Sequence, residues 1–145
     1  MFARTAFLAT ALLISTAAVA QYAEDFGAYR VRYSALPTDQ LLPEVARSYG
    51  IVRSRQRCLV NIAVQRTASG DASAPMRATL SGTATSLTGD RVPLRFREIA
   101  EEGAVYYISE LAITTPSTYR FAIDVTPESA TAPYVLRFNQ DFVSD

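Results

Sequence analysis

Three arginines at alternate positions, Arg53, Arg55 and Arg57, form the densest group of residues able to do chemistry in this chain. Guanidinium groups grip carboxylate or phosphate oxygens through two parallel hydrogen bonds, so the cluster suits an anion-facing patch. Exposed arginines also pair, individually weakly, with nearby carboxylates, and on the sequence both readings stay open. Beside the cluster stands the only cysteine, Cys58. A nucleophilic thiol wants a basic partner, usually histidine, and the chain has no histidine. Cys58 falls in phase with Val60, Ile62 and Val64, which predicts a buried, inert thiol. A nucleophile and an intermolecular bridge are the alternatives. The remaining reactive group is a run of carboxylates, Glu98, Glu101 and Glu102. Paired carboxylates hydrolyse glycosides when they flank a cleft, which makes an envelope hydrolase the enzymatic alternative. These three fall at a hairpin turn, where solvated charge is the default.

Absences narrow the chemistry further. Without histidine, Ser-His-Asp and Cys-His arrangements are excluded, and zinc and copper sites lose their commonest ligand. Cys58 with Met1 or Met76 supplies too few soft ligands for a copper carrier. No calcium loop or glycine-rich phosphate loop is spelled. The sequence thus offers no catalytic residue, no metal site and no cofactor. All fourteen basic residues are arginine and fourteen acidic residues balance them, so no global field favours nucleic acid.

The elements that must hold the arginines lie on either side of them. Pro43 suits the first turn of a helix and Gly50 the left-handed residue past its end, with Leu42, Val45 and Tyr49 at helical spacing. No capping residue precedes Pro43, so only two turns are expected. After the cluster, Cys58, Val60, Ile62 and Val64 alternate with Arg57, Asn61 and Gln65, the pattern of a half-buried strand. Extending that strand back to Ile51 would put Ser54 and Gln56 in core positions. Ile51 to Gln56 therefore reads as loop and the strand begins at Arg57.

The rest of the chain is strand-like. Ala28 to Ala35 alternates, after a polar lead-in from Gln21 to Phe26. Thr67 to Pro75 is small and polar and reads as a loop. Met76 to Thr85 alternates, and Thr88-Gly89-Asp90 turns the chain into Arg91 to Arg97, whose Pro93 marks a sheet edge. Val105 to Ile113 is apolar on both faces, which predicts a central strand. Tyr119 to Val125 and Tyr134 to Phe142 complete the set. About seven strands with frequent turns predict an all-β fold, an antiparallel immunoglobulin-like sandwich with one short helix, lacking the Cys–Trp–Cys hallmark of true immunoglobulin domains.

Before these elements, Arg4, an apolar run from Ala6 to Ile14 and Ala18-Val19-Ala20 have the layout of a secretory signal peptide over residues 1–20. Cleavage after Ala20 would leave Gln21 to Asp145 as one periplasmic domain without a transmembrane segment.

Several short pieces occur in a fixed order: Tyr33-Ser34-Ala35-Leu36, Pro43-Glu44-Val45-Ala46, Tyr49-Gly50-Ile51 with Arg53-Ser54, and Asn61-Ile62. Ser81-Gly82-Thr83-Ala84-Thr85, Phe96-Arg97-Glu98, Tyr106-Tyr107 and Pro133-Tyr134 with Leu136-Arg137-Phe138 follow. This order resembles the bacterial exported proteins grouped as domain of unknown function 4426. The resemblance implies a small envelope β-sandwich, implies no reaction, and singles out the corner from Tyr49 to Ser54. The expected role is a non-catalytic binding or accessory module. Its partner would be an envelope protein, a lipid head group or an anionic polysaccharide.

Overall fold

The computed structural model describes residues 21–67, 73–101 and 103–143. The signal peptide expected over residues 1–20, Glu102 and most of the 67–75 loop lie outside them. The chain's strongest alternation makes its central strand. In β3 (Arg57–Thr67) the residues Cys58, Val60, Ile62 and Val64 are fully buried on one face. Strand β2 (Tyr29–Pro37) pairs along one side of it and β8 (Ala104–Ala112) along the other. Strand β1 (Tyr22–Phe26) extends this first sheet beyond β2, and β7 (Arg97–Glu101) extends it beyond β8. The short β4 (Ser73–Met76) pairs with the end of β3. The second sheet runs β10 (Tyr134–Phe142), β9 (Ser117–Pro127), β5 (Ala78–Ser86), β6 (Arg91–Leu94). All pairings are antiparallel.

The inner faces meet in one core. Ile62 and Val64 of the first sheet join Phe121, Ile123 and Leu136 of the second. Aromatic rings bridge the sheets, with Tyr33 and Phe138 centroids 4.6 Å apart and Phe26 and Tyr134 at 5.2 Å. Within the second sheet Gly82 admits no side chain, since a Cβ there would stand 2.5 Å from the Ala122 carbonyl oxygen. The chain is therefore all-β and sandwich-like.

Three expectations need correction, and together they raise the count from about seven strands to ten among the described residues. The polar lead-in is strand β1, because its backbone groups satisfy the otherwise open edge of β2. Part of the loop after Thr67 is β4, for the same reason. The run Arg91 to Arg97 is two strands in different sheets. Leu94 is buried on β6, and the chain then crosses at Arg95 and Phe96 to begin β7. Two other expectations match: β6 with Pro93 is an edge, and β8 lies inside its sheet.

Candidate functional site

The first sheet is apolar on its outer face as well. Leu36, Leu59 and Ile108 are buried there in a second, smaller cluster with Ala46 and Ile51. The cover is the segment between β2 and β3, which holds a 3-10 turn at Thr38–Gln40 and helix α1 (Pro43–Ser48). Pro43 opens α1 without a side-chain cap, as its sequence implies. The helix ends in a Schellman arrangement: the Gly50 N–H donates to the Arg47 carbonyl and the Ile51 N–H to the Ala46 carbonyl. Gly50 takes the required left-handed φ of 66°. Ala46 and Ile51 close the motif with an apolar contact and face the sheet. The helix therefore approaches the sheet over its smallest apolar residue, and Leu42 and Val45 are left exposed.

Between α1 and the sheet runs a groove of about 290 Å³. Leu41, Val45, Leu59, Ile99 and Ile108 supply its apolar lining, with Tyr49 and Tyr106 as walls. Tyr49 is fixed at both ends. Its hydroxyl donates to the Glu101 carboxylate, and its carbonyl accepts from Arg97. The bond to Glu101 is the main reason the Tyr49 phenol is pushed above its usual pKa. At the floor, Asn61 lines both this groove and an adjoining hollow of about 110 Å³ lined by Arg32, Ser34 and Gln65. The buried Asn61 Oδ1 has no hydrogen-bond partner. A buried amide oxygen in that position gains a hydrogen bond from a donor placed beside it. The site is a small groove of mixed lining, aliphatic residues beside Gln21 and Glu101, with the Asn61 amide among its residues.

The three arginines of the cluster are dispersed by the loop that carries them. Thr38 is fully buried and holds this loop: its hydroxyl donates to the Val52 carbonyl at 2.7 Å and accepts from the Ser54 N–H at 2.8 Å. Arg53 turns back and donates to the Leu41 and Asp39 carbonyls at 2.9 and 2.8 Å. Arg55 reaches the Asp39 carboxylate at 3.6 Å, and Arg57 reaches Glu110 at 3.7 Å. Asp39 thus gathers Arg53 and Arg55, while Arg57 starts β3 and points elsewhere. The carboxylates are also separated. Glu98 accepts from Tyr107 at 3.1 Å toward the main core, whereas Glu101 meets Tyr49 on the outer face. Among the described residues no group of three or more Cys, Asp or Glu is placed to hold a metal ion. Cys58 is fully buried, and burial pushes its thiol up to about 12.

Sequence reasoning located the corner but not the groove. Its signal was Leu59, an apolar residue on the face assigned to water, repeated by Ile108 on β8. Asn61 and Thr38 gave no signal, since a polar residue in a strand or turn is unremarkable until its surroundings are known.

Comparison with known proteins places this fold. A crystal structure of a DUF4426 family protein from Pseudomonas aeruginosa is similar at 30% identity, with a TM-score of 0.71, covering 86% of this chain and 96% of that one. FetP of uropathogenic Escherichia coli has the same fold at 10% identity and a TM-score of 0.60, over 87% of this chain and 98% of its own. A copper-bound variant of FetP matches at 10% identity with a TM-score of 0.61, over 86% of this chain and 95% of that one. A search of curated proteins finds no match. The sequence profile described as domain of unknown function (DUF4426) matches residues 23–145, and the chain belongs to that family.

Proposed function

We propose that this chain is a non-catalytic binding or accessory module of the periplasm, acting through the groove between α1 and the first sheet. The observation that carries this reading is the buried Asn61 Oδ1, without a hydrogen-bond donor, in a groove where aliphatic residues stand beside Gln21 and Glu101. Ligand sites commonly combine an apolar lining with a few placed polar groups. The ligand is then an apolar molecule or partner segment from the envelope that presents one N–H or O–H to Asn61. Export rests on the signal-like residues before Gln21. It is supported by the structural neighbour FetP, which was expressed in the periplasm, and no helix among the described residues is long and apolar enough to cross a membrane. The immunoglobulin-like character of the sandwich is part of the same reading and rests on two facing antiparallel sheets between which the chain crosses.

A fragment screen by NMR tests the groove. Apolar fragments bearing an amide or hydroxyl should shift the Asn61 side-chain and Ile108 signals, and Asn61→Leu should abolish the response with the fold intact. Fragments that bind only elsewhere, or an unchanged response in Asn61→Leu, defeat the reading. Intact mass of envelope-extracted protein should begin at Gln21, and a retained residue 1–20 segment defeats export.

A further inference from the structure

The second sheet turns a different outer face to solvent, independent of the groove. Thr85 on β5 stands opposite Arg91 of β6 on one side and Arg120 of β9 on the other. One step along, Thr83 stands opposite Ala122, which in turn faces Arg137 of β10. Thr83, Thr85 and Ala122 thus supply short side chains on the inner strands, with Arg91 and Arg137 on the two edge strands and Arg120 between them on β9. They line a shallow concavity of about 510 Å³. Sheet spacing sets the Arg120 Cα about 8–10 Å from those of Arg91 and Arg137, and the latter two about 16 Å apart, so Arg120 can share one oxyanion with either neighbour and the three together can bridge adjacent ones.

These arginines lack what seven others have, as do Arg47, Arg66 and Arg95, none of which lines the concavity. Arg30, Arg55, Arg57 and Arg77 each have a carboxylate within ion-pair reach, and Arg32, Arg53 and Arg97 donate to neutral oxygens. Among the described residues Arg91, Arg120 and Arg137 have no such partner. Two carboxylates share the face as diagonal neighbours, Asp141 of Arg120 and Asp124 of Arg137, but neither forms an ion pair with them and Asp141 accepts instead from Thr118. Guanidinium groups without an ion-pair partner on one rigid face keep their donors free for a bound anion. The end of the sheet nearest the Arg91–Arg120 row also carries two bare apolar residues. Leu87 at the β5–β6 turn is 68% exposed, and Val143 just past β10 is 74% exposed.

We propose that this face binds the phosphate groups of anionic phospholipid head groups, with Arg91, Arg120 and Arg137 on phosphate oxygens, Thr83 and Thr85 as hydroxyl donors, and Leu87 and Val143 entering the interface. Planar guanidinium matches phosphate, an open face matches a surface rather than a small solute, and exposed apolar residues beside the charge match the acyl boundary. The test is co-sedimentation of the full mature chain with phosphatidylglycerol–phosphatidylcholine vesicles and with phosphatidylcholine vesicles alone. Binding should require phosphatidylglycerol and weaken with salt. Exchange of Arg91, Arg120 and Arg137 for Gln together should lower partition roughly tenfold or more, and Arg120→Gln alone by several-fold. The control Arg32→Gln with Arg66→Gln, which removes arginines of the first sheet, should leave partition within twofold. Equal binding to both vesicle types overturns the proposal, as does unchanged partition in the triple variant or in Arg120→Gln. Inorganic phosphate is the remaining arm: if it shifts the Arg120 and Arg137 signals while vesicles do not bind, the lipid assignment is overturned.

Discussion

The two sheets have the same inner chemistry and opposite outer ones. Outside the first sheet, Leu36, Leu59 and Ile108 are roofed by the 38–56 segment, and a groove remains where the roof meets the floor. Outside the second, Thr83, Thr85, Ala122 and three arginines lie open to solvent. A sheet face that carries large aliphatic residues must be covered, and one that alternates with threonine and arginine need not be. The difference is written strand by strand: β8 is apolar on both faces, whereas β5 and β9 are apolar on one.

The largest expected effect comes from thinning the covered face. Ile108→Ala should cost about 2–5 kcal/mol in urea unfolding, because the residue is buried under the roof. Val135→Ala, on the outer face of β10, should stay within about 0.5 kcal/mol. Equal costs would break the contrast between the faces.

Detaching the roof from its pin should come next. Thr38→Val removes the hydroxyl that serves both Val52 and Ser54, leaving buried backbone groups unpaired at about 1–3 kcal/mol. Hydrogen exchange at Ser54 should accelerate more than exchange at Val60. Uniform acceleration would mean that roof and sheet open together.

The shared interior responds to pH. Burial holds the Cys58 thiol near 12, against about 8.5 in an unfolded chain. The native state keeps its proton where the unfolded chain loses it, so this contribution is complete below about pH 8.5 and is lost as pH rises toward 12. Between pH 8.5 and 9.5, below the range of the tyrosines, stability should fall by about 1 kcal/mol per pH unit at most. Cys58→Ala should flatten that slope. The native thiol should also react slowly with alkylating reagents and quickly in denaturant.

The smallest effects separate the arginines of the loop. Arg53→Gln loses two hydrogen bonds to carbonyls and should cost about 1 kcal/mol. Arg55→Gln loses one exposed ion pair and should cost under about 0.5 kcal/mol.

Much of this architecture was legible from period alone. The phase of Cys58, Val60, Ile62 and Val64 gave the buried face of β3, Pro43 and Gly50 bracketed α1, and Pro93 marked an edge. The additional strands were not legible, because β1 and β4 are held by backbone pairing along neighbouring edges rather than by apolar side chains. The split between β6 and β7 escaped for a related reason, since alternation runs on through Arg95 and Phe96 while the backbone changes partner. The site was the least legible part. Nothing in the spacing of Arg53, Arg55 and Arg57 reveals that Asp39 and the Leu41 carbonyl occupy two of them. Nor does the spacing of Arg91, Arg120 and Arg137 reveal that three strands bring them together.

The crossing at Arg95 and Phe96 has a consequence for how the chain reaches this state. The sequence enters the first sheet, leaves for β5 and β6, returns for β7 and β8, and leaves again for β9 and β10. Neither sheet is a continuous length of chain, so neither can be completed while the other is absent. Folding must bring distant segments together before either layer gains its full pairing, which favours a slow, all-or-none assembly over hairpin-by-hairpin growth. A cut between Leu94 and Arg97 would therefore yield two fragments that are each unable to complete either sheet alone, yet able to complement one another when mixed.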